Sequence, residues 1–205
     1  MFNDMKLGDF MNSLSSVEAV PGGGSAGAIG GAIGASLILM ALKISFKKID
    51  LTEEAETLIN NLEKEKTYLE GLADADSEAY SSVMKAFKMP KESEEEKSVR
   101  KEAIQHALKH AAEIPMQTAQ SCFRVINMAF NAFNMCNSSC FSDAASGFQF
   151  AKTGFRCAMF NVDINLSSIK DEKFVKAMKA KKDDMFSVLS SCEIESEKIF
   201  AEKMC

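Results

Sequence analysis

Residues 21–34, with the sequence PGGGSAGAIGGAIG, constrain the fold of this chain more than any other segment. Three consecutive glycines after a proline are costly in regular structure, so they predict a sharp loop that other groups can approach closely. The apolar residues that follow predict a helix with Ser25 at its N-cap position. A glycine-rich turn at a helix N-terminus presents free backbone N–H groups and a partial positive charge. The segment is therefore a candidate site for an anionic ligand.

Two nucleotide-binding motifs share this glycine-rich character but require other residues. A P-loop ends in Gly-Lys-Ser/Thr, and no lysine follows these glycines. A dinucleotide-binding fingerprint follows a strand, whereas the preceding SSVEAV is short and leads into proline. Neither nucleotide-binding motif is predicted.

The apolar helix after the loop allows two interpretations, because residues 26–42 carry no charge. A run of this length is at the lower limit for a membrane span, and its Gly/Ala-rich first half contributes little transfer energy. A buried central helix is favoured. Gly27, Gly30, Gly31 and Gly34 recur every three or four residues, so one helix face is nearly bare backbone. We expect another helix to pack closely on that face, from this chain or from a second subunit.

Composition limits the class of protein. A chain of 205 residues with 46% apolar content suits one compact domain over residues 1–205. A net charge of −5 gives no electrostatic footprint for nucleic acid. The first 16 residues predict an amphipathic helix rather than a signal peptide. Without a CxxC pair, the six cysteines predict reduced, mostly buried thiols of a cytoplasmic protein: Cys122, Cys136, Cys140, Cys157, Cys192 and Cys205.

Helices are predicted throughout the chain. Three prolines and abundant Ala, Lys, Glu, Leu and Met favour an all-α bundle of about six helices, in which the second and third are long. Asp50 and Glu53 have the spacing of a capping box, which opens a long helix that reaches about Phe87.

The second half of the chain continues this helical pattern. Ser93 and Glu96 form a second capping box, and the helix that follows is expected to kink at Pro115 and continue. Further helices are predicted from about Asp143 and from about Asp171. The alternating segment FNVDINL has no partner strand in the sequence, so helix or turn is favoured there over a strand.

Several carboxylates are candidates for chemistry. Asp74 and Asp76 lie two residues apart on the long helix and point away from each other, so they do not form a carboxylate pair. Asp76 and Tyr80 are four apart and share a face. Asp143 either caps the helix that it precedes or serves as a catalytic carboxylate.

Other polar residues also carry more than one interpretation. Asn161 and Asn165 lie one turn apart in an apolar context, where they orient a ligand or satisfy the backbone. Lys88 near a helix end is a candidate cation for an acidic ligand or an ordinary solvated lysine. His106 and His110 have the spacing of two metal ligands, but the charged sequence around them favours an exposed face. No metal site is expected.

Five segments together resemble the cyclodeaminase/cyclohydrolase domain of the formiminotransferase-cyclodeaminase family. They are VPGGGSAGAIGGAIGASL, DADSEAYSSVMKAFKMPK, RKEAIQHALKHAAEIPM, CFSDAASGFQFAK and NVDINLSSIKDE, and their order spans nearly the entire chain. The resemblance implies an all-helical homodimer that acts on one-carbon derivatives of tetrahydrofolate without a metal or other cofactor. It also implies a functional link with a formiminotransferase, present here as a separate protein if at all.

Two reactions are compatible with this resemblance. A cyclodeaminase closes 5-formiminotetrahydrofolate to 5,10-methenyltetrahydrofolate and releases ammonia. A cyclohydrolase adds water to the methenyl carbon and yields 10-formyltetrahydrofolate. Either reaction needs a proton carrier of tuned pKa and groups that position the pterin. The matching segments assign the proton transfer to Asp143 or Asp76 with Tyr80. Substrate binding falls to these residues: Gly22, Gly23, Gly24, Ser25, Lys88, Asn161 and Asn165.

A non-catalytic helical bundle that oligomerises through its glycine face is the alternative class of function. Such a protein has no reason to bring DADSEAY, the SD pair and NVDIN into one cleft with the glycine loop. Convergence of these segments therefore distinguishes the two hypotheses.

Overall fold

The chain folds into helices joined by short connections. A computed structural model describes residues 2–204, apart from the side chain of Asn3. Within this range there are six α-helices, two short 3-10 helices and no strand. The α-helices are α1 (Leu7–Leu14), α2 (Gly23–Ser45), α3 (Glu53–Phe87), α4 (Glu94–Met135), α5 (Phe141–Leu166) and α6 (Glu172–Lys203). The 3-10 helices span Phe2–Asp4 and Ser138–Cys140. The predicted all-α bundle of about six helices is confirmed; α3 is long as expected, and α4 is longer still.

Helix α2 lies at the centre and packs backbone to backbone against α5. A Cβ atom built on Gly34 would lie 2.7 Å from the carbonyl oxygen of Gly147, and one built on Gly154 would lie 2.6 Å from that of Gly27. The pairing of Gly27 with Gly154 and of Gly34 with Gly147 makes the two helices antiparallel. The glycine face therefore packs on a helix of the same chain, except at Gly30, which has open space beside it.

The apolar character of α2 is that of a core helix. Its length and hydropathy would allow it to cross a membrane, but 61% of its apolar 18-residue window is buried inside the protein. Its neighbours on three sides are α3, α4 and α5. These contacts support the buried-helix interpretation of residues 26–42.

Two predicted helix starts were wrong. The N-cap of α2 is Gly22, so Ser25 lies inside the first turn, where its hydroxyl bonds to another helix instead of capping its own. The N-cap of α3 is Thr52, whose hydroxyl accepts a hydrogen bond from the backbone N–H of Ala55. Asp50 lies outside the helix, because Thr52 fits the same cap two residues closer to it.

The helix signals of the second half of the chain agree with the structure, whereas the N-terminal one agrees only in part. Ser93 and Glu96 form the predicted capping box of α4, and this helix continues through Pro115. Asp171 caps α6 by accepting a hydrogen bond from the N–H of Phe174. The FNVDINL segment is the last part of α5. The predicted amphipathic helix over the first 16 residues is shorter than expected, since it is divided between a 3-10 helix and the eight residues of α1.

The cysteines of the described range are free thiols. Cys122, Cys140 and Cys192 are buried, and Cys136 and Cys157 are partly buried. The prediction for the sixth cysteine, Cys205, lies outside the described residues.

Candidate active site

A cavity of about 210 Å³ lies at the N-terminal end of α2 and is called the Asp76 cavity below. The glycine loop, α3, α4 and α5 all contribute to its wall. The lining residues are Ala19, Val20, Gly22, Gly23, Asp76, Tyr80, Val83, Leu108, Ala111, Asn161 and Asn165. The PGGG loop, DADSEAY and NVDIN, which are far apart in sequence, therefore converge as the enzyme hypothesis expects. The SD pair, which the hypothesis placed in the same cleft, is not among the lining residues.

Asp76 is held against the first turn of α2. The Ser25 hydroxyl donates a hydrogen bond to Oδ2 of Asp76 over 2.9 Å. The backbone N–H of Ser25 also donates to this carboxylate. A Cβ atom built on Gly24 would lie only 2.2 Å from Oδ1 of Asp76. Only a residue without a side chain at position 24 allows the carboxylate to sit this close to the helix backbone.

The environment of Asp76 makes it a suitable proton carrier. Burial raises the pKa of the Asp76 carboxyl above its usual value, and the hydrogen bonds from the Ser25 hydroxyl and backbone partly oppose the rise. Burial favours the neutral acid, whereas donors favour the carboxylate. A carboxyl whose pKa is raised toward the working pH exchanges its proton more readily in general acid–base catalysis.

The glycine loop was predicted to offer a helix N-terminus to an anion. The anionic group that the structure places there is the carboxylate of Asp76, which accepts a hydrogen bond from the backbone N–H of Ser25. Gly24 and Ser25 contact Asp76 from behind and do not line the cavity, while Gly22 and Gly23 do. The loop thus positions a carboxyl group of the protein itself.

Two asparagines on α5 face the same cavity. The Nδ2 group of Asn161 donates to the carbonyl oxygen of Cys157 over 2.9 Å, and that of Asn165 donates to the carbonyl oxygen of Ala111 over 2.7 Å. These bonds fix both side-chain amides. Their oxygen atoms have no hydrogen-bond donor among the described residues, so they remain available to accept from a ligand.

Tyr80 lies one turn after Asp76 on α3, and both side chains line the cavity as their shared face predicted. Tyr80 is 40% exposed, so it stands at the edge of the cavity. Its hydroxyl can donate to or accept from a bound molecule.

Two candidate residues lie away from the Asp76 cavity. Asp143 is in the first turn of α5, after the N-cap Cys140, and does not serve as the cap. Asn161 is 18 residues further along this helix, which places Asp143 about 27 Å from the cavity. Lys88 is the exposed C-cap residue that follows α3, eight residues beyond Tyr80. The structure brings neither to the cavity within one chain.

The histidines have the exposed position that their sequence context predicted. His106 and His110 both lie on the solvent side of α4. Among residues 2–204, no three His, Cys, Asp or Glu side chains are grouped closely enough to hold a metal ion.

Sequence reasoning missed the contact that Ser77 makes and assigned Gly24 to substrate binding, not to the position of Asp76. The missing side chain of Gly24 leaves room for the carboxyl group of Asp76, and the hydroxyl of Ser77 lies 3.3 Å from that of Ser25. The adjacency of Ser77 to Asp76 was visible in the sequence, but its contact with α2 depends on how the two helices pack.

Comparison with known proteins gives consistent results. The formiminotransferase-cyclodeaminase family matches residues 6–184 of the chain. A methenyltetrahydrofolate cyclohydrolase of Methylorubrum extorquens is 35% identical over 170 residues, which cover 82% of each protein. A formimidoyltransferase-cyclodeaminase of Gallus gallus is 35% identical over 176 residues, which cover 82% of this chain and 32% of the relative. The chain thus corresponds to about a third of the longer animal protein.

A solved structure has the same fold. The crystal structure of formiminotetrahydrofolate cyclodeaminase from Thermotoga maritima superposes with a TM-score of 0.87 over 100% of both chains, at 26% sequence identity. The arrangement of helices is therefore shared over the whole chain.

Proposed function

The chain belongs to the formiminotransferase-cyclodeaminase family, and we propose that it is an enzyme of folate one-carbon metabolism with formimidoyltetrahydrofolate cyclodeaminase activity. The substrate is 5-formiminotetrahydrofolate, and the products are 5,10-methenyltetrahydrofolate and ammonia. The observation that carries the proposal is the partly buried carboxyl of Asp76, held by Ser25 in a cavity that also contains two fixed amides. A non-catalytic bundle would not need this convergence.

With the formimino group entering in its protonated form, the reaction requires one proton to move from the attacking nitrogen to the leaving nitrogen, both bonded to the same carbon. The 10-nitrogen attacks the formimino carbon and forms a tetrahedral centre bonded to three nitrogens. The proton on the attacking nitrogen must leave, and the departing amino group must be protonated before it separates as ammonia. Asp76 takes the first proton as a carboxylate and returns it to the leaving nitrogen as an acid. The raised pKa of Asp76 suits both halves of this transfer.

The other lining residues hold the substrate in this arrangement. The free amide oxygens of Asn161 and Asn165 accept hydrogen bonds from N–H groups of the pterin ring, and the backbone of Gly22 and Gly23 borders the ring. Tyr80 lies at the edge of the cavity. A space of about 210 Å³ holds the reacting rings and not a whole folate, since complete ligand pockets measure about 300–1,000 Å³.

The glutamate tail of the folate therefore extends out of the cavity. Lys88, at the exposed end of α3 beyond Tyr80, is the candidate cation for the carboxylates of that tail. Because an exposed lysine is strongly hydrated, its contribution to binding is small.

Methenyltetrahydrofolate cyclohydrolase is the second candidate activity. It is favoured by the Methylorubrum relative, which the chain matches over most of both proteins. In that reaction Asp76 would take one proton from the water that attacks the methenyl carbon and return it to the ring nitrogen as the C–N bond breaks. The second proton of that water would leave to solvent as the formyl C=O forms. The same cavity and the same carboxyl serve both activities.

An absorbance assay of methenyltetrahydrofolate separates these functions. Appearance of its ultraviolet band from 5-formiminotetrahydrofolate, with release of ammonia, is the expected result. Accelerated loss of the band from the methenyl compound alone would establish the cyclohydrolase instead. Folded protein that is silent in both directions would contradict the enzymatic function and favour a structural bundle.

The proposal includes a homodimer. Ile33, Met40 and Ile44 are 40%, 39% and 48% exposed on one side of α2. The neighbouring helix α5 adds three exposed apolar residues: Phe150, Phe160 and Ile164. These six exposed apolar side chains lie on two neighbouring helices, and a stable interface buries ~800 Å² per partner. An apolar surface is complementary to itself, so a second copy of the chain is its occupant.

Light scattering on a sizing column tests the dimer. Ile33→Glu is expected to yield a monomer, because a charge would be buried without a partner. Val188→Glu on α6, at a residue that is 49% exposed, is the matched control and leaves the mass unchanged. A wild-type monomer, or an Ile33→Glu dimer, would contradict the assignment of this surface.

The proposal also covers the cofactor requirement, the cellular compartment and the source of the substrate. Ring closure and ammonia release need only proton transfers, so no metal or other cofactor takes part. Free cysteines suit the reducing cytoplasm. A formiminotransferase reaction must supply the formimino substrate, and we propose that a separate protein carries it out.

A further inference from the structure

Behind Asp76, away from the Asp76 cavity, two serine hydroxyls lie in series. Ser25 on α2 is fully buried, and its hydroxyl lies 2.9 Å from Oδ2 of Asp76. The hydroxyl of Ser77, on α3 next to Asp76, lies 3.3 Å from that of Ser25. Neither serine lines the cavity. Ser25 contacts the carboxyl group directly, and Ser77 contacts it only through Ser25.

The number of available protons determines which group donates and which accepts in these two hydrogen bonds. An ionised carboxylate only accepts hydrogen bonds, and each serine hydroxyl has one proton to donate. Ser25 gives its proton to Asp76 and must then accept from Ser77. The order is therefore Ser77 to Ser25 to Asp76 whenever the carboxyl group is ionised.

We propose that Ser25 and Ser77 are positioning residues whose hydroxyls, in series, hold Oδ2 of Asp76 so that Oδ1 carries the proton moved in the reaction. This inference rests on the proposed function. It differs from the sequence-based expectation for Ser25, which was substrate binding. A proton on Oδ2 would force Ser25 to turn toward Ser77, so the chain favours the tautomer with the proton on Oδ1.

Asp76 is the group whose titration is sensitive to these two hydrogen bonds. Asp76 and Tyr80 are the titratable side chains among the lining residues, while α2, α4 and α5 present only Gly, Leu, Ala and Asn to the cavity. Asp74, two residues earlier, points elsewhere and accepts a hydrogen bond from the backbone N–H of Phe2. Asp76 is the carboxyl group among the lining residues, so a carboxyl titration observed at this site belongs to Asp76.

The test measures the carboxyl group directly. The ¹³C shift of the Asp76 side chain is followed by NMR against pH in the wild type, Ser25→Ala and Ser77→Ala. The Ser25 hydroxyl favours the ionised form, so its loss is expected to raise the pKa of Asp76 by roughly one unit. Ser77→Ala should raise it in the same direction by less. Ser82→Ala, on an exposed part of α3, is the control and leaves the titration unchanged.

Kinetics supply the second readout. We expect kcat of Ser25→Ala to fall about tenfold, with its acid-limb pH shifted upward and KM unchanged within about twofold. Because Ser77 is partly exposed, Ser77→Ala is expected to fold, and it tests the proposal even if Ser25→Ala folds poorly.

Two outcomes would overturn the proposal. One is an unchanged Asp76 titration in both serine variants, whatever their activity. The other is a raised KM of Ser25→Ala with an unchanged pH profile, which would make Ser25 a substrate-binding residue. A wild-type protein with no turnover of folates but shifted titrations in the variants would instead contradict the proposed reaction, so the two failures are distinguishable.

Discussion

Gly24 and Gly34 lie ten residues apart on α2, yet their missing side chains serve different purposes. Beside Gly34, the nearest atoms to a built Cβ are backbone atoms of Gly147 and Ala151 on α5, at 2.7 and 2.8 Å. Beside Gly24, the nearest atoms belong to the carboxyl group of Asp76, at 2.2–2.7 Å. One glycine lets two helices touch, and the other lets a carboxylate reach a helix terminus.

The two glycines therefore contribute to different properties of the protein, one to stability and the other to chemistry, although they lie on the same helix. Backbone atoms of a packed helix cannot move without shifting the whole element, so the middle of α2 is required for the fold. A side chain such as that of Asp76 can rotate away, so the first turn of α2 is required for the position of the carboxyl group. Substitutions at the two ends should therefore affect different observables.

Removal of the acid itself should give the largest effect. Asp76→Asn keeps an oxygen that accepts from Ser25 but cannot carry the reaction proton, so kcat should fall by about 10²–10⁴, with little change in unfolding. The measurement is steady-state turnover beside urea denaturation. Asp74→Asn, on the same helix, is the control, because Asp74 contacts the backbone of Phe2 and not the cavity. Activity of Asp76→Asn near the wild-type level would remove Asp76 from the mechanism.

A methyl group in the middle of α2 should damage the fold. Gly34→Ala forces backbone atoms of α5 to move, which we expect to lower the free energy of unfolding by about 3 kcal/mol. Urea denaturation of Gly71→Ala is the control, because Gly71 on α3 has open space at its Cβ position and alanine is the better helix former there. If Gly34→Ala unfolds at the same urea concentration as Gly71→Ala, α2 and α5 are packed less closely than described.

The same substitution in the first turn should damage activity more than stability. Gly24→Ala displaces the carboxyl group of Asp76, and we expect kcat to fall roughly 10- to 100-fold. Unfolding should be affected less than in Gly34→Ala, since a side chain rather than a backbone gives way. Comparing the two alanine variants in both assays sharpens the contrast. Equal losses of stability would mean that the first turn is as rigidly packed as the middle of the helix.

The sequence predicted the fold well because helix signals are local. The capping box at Ser93 and Glu96, the cap at Asp171 and the spaced glycines of α2 each determine an element within a few residues. The exact starts of α2 and α3 were wrong, because adjacent polar or glycine residues compete for one cap position and tertiary contacts decide between them.

The site was predictable only in part, because it depends on which helix ends meet. Asp76, Tyr80, Asn161 and Asn165 were identified from polar residues on apolar faces and from the resemblance, and they do line one cavity. The role of Gly24 was not visible, since a glycine that seats a carboxylate looks the same in sequence as one that packs a helix. Asp143 was grouped with Asp76 although helix α5 holds it at its opposite end.

The smallest effect is expected at Asp143. About 27 Å of helix separates it from the level of Asn161 in the same chain, so Asp143→Asn should change kcat less than about threefold when assayed beside Asp76→Asn. Asp143 is partly exposed and does not cap α5, so little change in unfolding is expected. The comparison is informative because the proposed dimer allows a second route to the cavity. A loss as large as that of Asp76→Asn would show that a second copy brings its Asp143 to the reacting carbon. The residues needed for chemistry would then come from two chains, while the middle of α2 would still serve the fold of each one.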